Sequence, residues 1–346
     1  MEQKSMVTPE LSVVMSVYNT PLDFLRESID SILNQTFKDF EFIIIDDGNS
    51  DGGIIGLLSD YRNKDGRIRI ISNDTNLGLT KSLNIGLDNC SGKYIARMDA
   101  DDISLPDRFR TQLNFLDENP EISLVGSNTI GFDGDRVLYD ESLLHRRTDK
   151  QEIFDIRMLL ENVCFAHPTF MFRKQFLDEK NIRYREDLRY AQDYGIVIDI
   201  LNNYGKIHKI EKSLLKYREH QGQISQKSHG QQEQCQSLTS FRRLKFIFPG
   251  VSEKHCKMIS DLMRKDEEHE PNEYISAIKS VLEDNNHNGQ FNGKILKEEL
   301  MYEWYRKCMR NTRKSRKLWG LTQPFSLTCI PIVLKMKIQN RFIFYK

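Results

Sequence analysis

Residues 93 to 109, KYIARMDADDISLPDRF, constrain this chain more than any other stretch. Lys93 to Met98 is apolar enough to be a buried strand. It runs straight into Asp99, Ala100, Asp101 and Asp102, and a helix is expected from Pro106. In an extended backbone alternate side chains share a face, so Asp99 and Asp101 point the same way on either side of Ala100. A second acidic turn, Asp46-Asp47-Gly48, closes an earlier apolar run. Carboxylates gathered at strand ends can hold a divalent cation such as Mg²⁺ or Mn²⁺, usually together with a substrate's phosphates. A D-x-D match alone is a weak signal, because a solvated turn that ends a strand or caps a helix looks the same.

The order of elements supports a layered α/β domain. Leu11 to Val17, Glu41 to Ile45, Arg67 to Ile71, Lys93 to Met98 and Ile122 to Val125 read as strands, β-branched and apolar on both faces. Between them, Leu25, Ile29, Ile32 and Leu33 recur at helical spacing, as do Leu79, Leu83 and Leu87, and then Phe109, Leu113 and Leu116. Thr20 and Pro21 are the expected start of the first helix, and the GNSDGG stretch is expected as loop. Strands alternating with helices give a mostly parallel sheet, whose ligands sit beyond the carboxyl ends of the strands. Both acidic turns fall at such ends.

The middle of the chain is less regular. A hairpin is expected around Asp133-Gly134-Asp135, and a helix over Asp149 to Leu160. A further helix is expected near Asp193, with Tyr194, Ile198 and Leu201 on one face. Lys216 to Ser225 reads as a polar loop, and short mixed-charge helices follow from about Gln231. The 346 residues thus divide into an expected α/β domain over 1–230 and a helical region over 231–346.

The formal net charge of zero hides an asymmetry. From Met301 to Lys346, Glu303 is the only acid among many cations, including Arg306, Arg310, Arg313, Lys314, Arg316 and Lys317. This basic tail is either a solvated face or a surface for anionic lipid, with Trp319, Phe325, Ile330, Ile332, Phe342 and Phe344 entering the interface. Nucleic acid is not expected, because no groove-reading module is present. No apolar run reaches the roughly 18 residues of a membrane span. The first residues, MEQKSMVTPE, have no signal-peptide core, and the scattered cysteines show neither pairing nor zinc spacing. The expected compartment is therefore a reducing cytosol.

Several segments together resemble a family 2 glycosyltransferase. They are SVVMSVYN (Ser12 to Asn19), SILNQTFKDFEFIIIDDGNSDG (Ser31 to Gly52), NLGLTKSLNIGL (Asn76 to Leu87), GKYIARMDADDISLPDRF (Gly92 to Phe109), HPTFMFRK (His167 to Lys174) and AQDYGIVIDIL (Ala191 to Leu201). The resemblance covers Leu11 to about Ser225 and implies the GT-A fold, a Rossmann-like mixed sheet flanked by helices, here with a helical C-terminal extension. It implies that Asp47 binds the uracil of a UDP-sugar, that Ser16 lies by the nucleotide, that Asp99 faces ribose or diphosphate, and that Asp101 holds Mn²⁺ or Mg²⁺. Asp193 becomes the general base, although Gln192 stands where the family usually has Glu. His167 falls on the acceptor side, and Arg218 and His220 in a loop able to close over the donor. The QxxRW signature of processive synthases is absent.

What the resemblance implies is an inverting hexosyl transfer to a saccharide acceptor, lipid-diphosphate-linked, in bacterial surface polysaccharide assembly (O-antigen or capsule) at the cytoplasmic face of the inner membrane. From the residues alone other readings stay open. Asp193 is also a normal first-turn helix residue, His167 a normal turn histidine, and Lys81 and Arg97 either phosphate contacts or ordinary cations. Asp102 reads better as a cap or outer-sphere residue than as a ligand. A non-catalytic sugar-nucleotide or membrane scaffold would keep the same binding residues. A nucleotidyltransferase should carry a Gly-rich basic loop after the first strand, and SVYNTPLDF is not one.

Overall fold

The computed structural model describes residues 8–143, 150–161, 165–220, 229–264 and 269–310. The cationic tail from residue 311 onward, and the 221–225 portion of the expected polar loop, lie outside them. By internal contacts the chain forms two compact units, 1–143 with 164–228, and 144–163 with 229–346. The expected domains placed all of 1–230 together, whereas residues 144–163 group with the helices that follow residue 229.

The first unit is built on one mixed sheet. Its strands are β1 (Leu11–Val17), β2 (Phe40–Asp46), β3 (Ile68–Ser72), β4 (Tyr94–Asp99), β5 (Ile103–Ser104), β6 (Ile122–Asp133), β7 (Arg136–Asp140), β8 (Met171–Arg173) and β9 (Lys206–Arg218). The order is β3-β2-β1-β4-β8-β6-β9-β5, with β7 on β6. Strands β3, β2, β1 and β4 are parallel, as β-branched runs buried on both faces require. Beyond β4 the sheet mixes, because β8 runs antiparallel to both β4 and β6 while β6 and β9 are parallel. The expectation of a mostly parallel sheet holds only for the first half. The long strand β9 was unexpected, since its sequence, KIHKIEKSLLKYR, alternates poorly and is bulged against β6.

Helices α1 (Leu22–Leu33), α2 (Gly52–Lys64), α3 (Leu79–Asp88), α4 (Arg108–Glu118), α6 (Lys174–Glu179) and α7 (Gln192–Asn202) belong to this unit. Helix α1 begins after Pro21 with no side-chain cap, so Thr20 is not its N-cap. Helix α2 replaces part of the expected GNSDGG loop. Asp51 caps it by accepting from Gly53 N at 2.7 Å, and Ile54, Leu57 and Leu58 hold it to the sheet. Burial of that apolar stripe outweighs the propensity cost of Gly52 and Gly53 in the first turn. The sheet's core pairs Val13, Met15, Phe42, Ile44, Tyr94 and Ala96 with Leu25, Ile29, Phe109 and Leu113 from the helices.

In the second unit, α5 (Gln151–Arg157), α8 (His229–Ile247), α9 (Glu253–Ser260), α10 (Pro271–Asn288) and α11 (Gly293–Arg310) share a separate core that includes Leu159, Leu244, Phe248, Ile278, Leu300 and Trp304. Arg157 pairs there with the buried Glu303 at 2.7 Å and Glu299 at 3.5 Å. A buried arginine needs such partners to offset its lost hydration.

Candidate active site

The reversal of strand order places the site. Winding goes from β1 to β2 and β3 on one side and to β4 on the other, so the carboxyl ends of β1 and β4 form the topological switch point where open α/β sheets bind ligands. Ser16, next to the end of β1, lies in register with Asp99 at the end of β4 and with Ile45 of β2. The two acidic turns are therefore on one edge of the sheet, as expected.

They differ in how their charge is met. Asp47 is 1 % exposed. Its Oδ1 accepts from Asn73 Nδ2 and Leu77 N, both at 2.8 Å, and its Oδ2 from Gly78 N at 2.9 Å and Asn76 Nδ2 at 3.2 Å. Asp46 accepts from Asn49 N at 3.1 Å and Asn49 Nδ2 at 2.6 Å. Both carboxylates thus brace loops, Asp46 as the sequence reading had it and Asp47 beside the ligand role expected of it. Gly48 has φ +72°, and a Cβ there would stand 2.3 Å from the Thr75 carbonyl carbon. Only glycine lets the first acidic turn meet the 73–78 loop so closely.

The second turn is crowded instead. Oxygens of Asp99, Asp101 and Asp102 lie within 4.8 Å of one another. Asp99 is gripped by both terminal nitrogens of Arg97. Asp101 Oδ2 meets His220 Nε2 at 2.9 Å. Asp102 is 1 % exposed; Oδ1 accepts from Arg218 N at 2.9 Å, and among the described residues Oδ2 has no hydrogen-bond partner. Desolvation raises the Asp99 pKa to about 6; Arg97 opposes this, and the charges of Asp101 and Asp193 add to it. Asp102 is pushed well above the usual carboxylate range by burial and by the charges of Asp99 and Asp101. Three repelling carboxylates and one buried, unpartnered oxygen suit an oxygen-seeking divalent cation, so the residues present fit Mg²⁺ or Mn²⁺. The sequence reading gave the metal to Asp101 alone. The geometry adds Asp99 and Asp102, and Asp102 caps no helix.

Buried polar residues outside the acidic cluster hold this turn in place, and sequence reasoning passed over them. Ser28 Oγ donates to Asp99 O at 2.8 Å. Gln35, fully buried, donates to Ser104 Oγ at 3.1 Å and Leu105 O at 2.8 Å while accepting from Phe109 N at 3.1 Å. Arg108, also fully buried, donates to Arg97 O at 2.7 Å and to Gln112 Oε1 at 3.0 Å. A buried glutamine is costly unless its amide is satisfied, and that is the signal in the sequence: Gln112 sits on the buried face of α4 beside Phe109, Leu113 and Leu116, and Gln35 follows directly after the end of α1.

The remaining candidates fall as follows. Arg97 is buried in β4 and serves Asp99 rather than standing free for phosphate. Lys81 lies 3.6 Å from Glu186, half exposed. Arg218 is not in a loop. It is the last residue of β9, 5 % exposed, between the rings of Phe24 and Phe132; its Nε donates to Asp101 O at 2.7 Å and a terminal nitrogen pairs with Glu27. His220 follows two residues later, tilted against Phe24. Asp193 is in the first turn of α7, and its charge acts on both Asp99 and Tyr184. His167 opens a single 3-10 turn, His167–Thr169, and its Nε2 lies 2.8 Å from Tyr184 Oη.

A sheet wound outward to both sides of β1, with carboxylates at its switch point, defines an open α/β fold with a candidate ligand site at the strand ends. The sequence profile of Glycosyl transferase family 2 matches residues 12–181. Over 211 residues the chain is 37 % identical to an uncharacterized glycosyltransferase of Methanocaldococcus jannaschii, covering 61 % of this chain and 71 % of that one. Over 233 residues it is 33 % identical to the O-antigen biosynthesis glycosyltransferase WbnJ of Escherichia coli, covering 66 % and 87 %. Among solved structures, S. aureus TarS 1–349 in complex with UDP-GlcNAc superposes with a TM-score of 0.56 at 19 % identity, over 91 % of this chain and 92 % of that one. The chain belongs to glycosyltransferase family 2, its fold is that of the GT-A glycosyltransferases, and it is a transferase enzyme.

Proposed function

We propose that this enzyme moves a hexose from a UDP-sugar to a hydroxyl of a saccharide acceptor, with inversion at the anomeric carbon and with Asp193 as general base. The observation that carries this reading is the convergence of Asp99, Asp101 and Asp102, with one buried oxygen that lacks a hydrogen-bond partner among the described residues and with the charge of Asp193 acting on Asp99. A divalent cation held by these carboxylates would act as a Lewis acid toward a departing diphosphate. The protein's own part is to gather and orient. Arg97 and Ser28 fix Asp99, and His220 and Arg218 fix the Asp101 turn. An acceptor hydroxyl must lose its proton as it attacks, and a carboxylate within hydrogen-bond reach can take it. One base and one displacement from the face opposite the leaving group invert the centre, so an α-linked donor gives a β-linked product.

The UDP donor is supported by the similarity of fold to TarS, whose structures carry UDP-GlcNAc and UDP. The setting of bacterial polysaccharide assembly is supported by the O-antigen transferase among the relatives. A lipid-diphosphate-linked acceptor, and attachment to an anionic cytoplasmic membrane surface, are supported by the basic, aromatic composition of residues 311–346. The test is UDP release across a panel of UDP-sugars with Mn²⁺ and a synthetic lipid-diphosphate monosaccharide. Asp101→Ala and Asp193→Asn both abolish turnover on this reading; continued transfer by Asp193→Asn removes the base assignment.

A further inference from the structure

We infer that Tyr184 holds His167 as its neutral Nδ1–H tautomer, so that a single fixed N–H donor faces a sugar oxygen beside the Arg97–Asp99 pair. The inference rests on the transferase reading and deepens it. Tyr184 is 3 % exposed, with its ring between His167 and Phe172. Its backbone is pinned on both sides by Asn84, which donates to Tyr184 O and accepts from Tyr184 N, each at 2.8 Å. Phenol and imidazole therefore meet in a fixed register, 2.8 Å apart.

The direction of that hydrogen bond follows from satisfaction. Among the described residues, His167 Nε2 is the one partner of the Tyr184 hydroxyl. Were Nε2 to carry the proton, the phenol's own O–H would be buried without an acceptor, at a cost of about 1–3 kcal/mol. With the phenol donating, Nε2 accepts and the ring proton sits on Nδ1. Burial pushes the imidazole's pKa well below its ordinary value, with Arg97 adding to the effect, and burial raises that of the phenol. Both groups are thus neutral. His167 is partly exposed, and among the described residues its Nδ1 has no hydrogen-bond partner. Arg97, the cation that acts on His167, also grips Asp99. A neutral N–H at this place can bind a hydroxyl or ether oxygen of a sugar while adding no positive charge near Asp193.

On this account Tyr184 is a positioning residue and His167 touches the sugar. Two measurements test it. In protein labelled with ¹⁵N at histidine, His167 shows a pyridine-type Nε2 shift and a pyrrole-type Nδ1 shift, and Tyr184→Phe, which keeps the ring, mixes the two. A pyrrole-type Nε2 in the native protein, or shifts unmoved by Tyr184→Phe, overturns the inference. Activity is then compared in two replacements, with UDP-glucose, UDP-galactose and UDP-GlcNAc as donors. Asn places an amide N–H where Nδ1 stands, and Gln places one where Nε2 stands. His167→Asn stays within about tenfold of native kcat/KM, and His167→Gln falls by about a hundredfold. Equal losses, or the reverse order, overturn it. Should the native enzyme turn over none of the donors, the transferase substrate is misassigned, while the nitrogen shifts still decide the tautomer by themselves.

Discussion

The two acidic turns of this chain look alike in sequence and end at the same sheet edge, yet they are opposites physically. At Asp47 four donors, two of them backbone N–H groups, surround one carboxylate. At Asp99, Asp101 and Asp102 three carboxylates crowd together, and one buried oxygen has no donor among the described residues. The first turn adds to stability, because its buried carboxylate is fully satisfied by hydrogen-bond donors. The second keeps a charge imbalance that a cation would relieve. An acid at a strand end is thus structural or functional according to how many donors the neighbouring loops bring to it.

That contrast can be broken by substitution. The largest effects belong to the crowded turn and its proposed base. Asp101→Ala lowers kcat by at least about a hundredfold, and Asp193→Asn by roughly a hundredfold to ten-thousandfold. Both are read in the UDP-release assay, and native-like rates in either variant would dissolve the distinction between the turns. Asp47→Asn acts instead on the fold. It trades an acceptor oxygen for a donor facing Asn76 Nδ2 and Gly78 N, or Asn73 Nδ2 and Leu77 N, and costs about 2 kcal/mol in urea unfolding.

A smaller effect of opposite sign sharpens the comparison. Asp102→Asn keeps an oxygen for Arg218 N but removes a buried charge repelled by its neighbours, so the metal-free protein gains about 1 kcal/mol. The same change shrinks the rise in Tm that Mn²⁺ gives to the native protein. A loss of metal-free stability in Asp102→Asn would mean that this turn is braced as firmly as the first.

The pH dependence has a definite sign. The folded-state pKa of Asp99 is raised to about 6, above that of an ordinary carboxylate, so the metal-free native state binds an extra proton in the interval between the two. Its contribution to stability is present at low pH and is lost as the pH rises through about 6. Protons and cation compete for the same oxygens. The Mn²⁺-induced shift in Tm therefore grows as the pH rises through about 6 and fades below it. A shift independent of pH between 5 and 8 contradicts this.

Much of the molecule was legible before any coordinates. Strands β1 to β4 are marked by apolar, β-branched runs, and such runs have few other places to go than the centre of a parallel sheet. The acidic run after β4 and the family-like order of segments pointed to the correct edge. Helix α2 was hidden by its two opening glycines, and β9 by a sequence that alternates poorly and is bulged. Arg218 read as part of a polar loop because its seat between Phe24 and Phe132 involves rings far away in sequence.

Local chemistry, then, settled which segments are strands and that acids would stand at two of their ends, because burial of β-branched runs depends on neighbours along the chain. Which acid is satisfied, which is crowded, and which nitrogen of His167 faces Tyr184 depended on partners that are distant along the chain. Hydrogen bonds and charge repulsion act over a few ångströms, and only the folded sheet sets those distances.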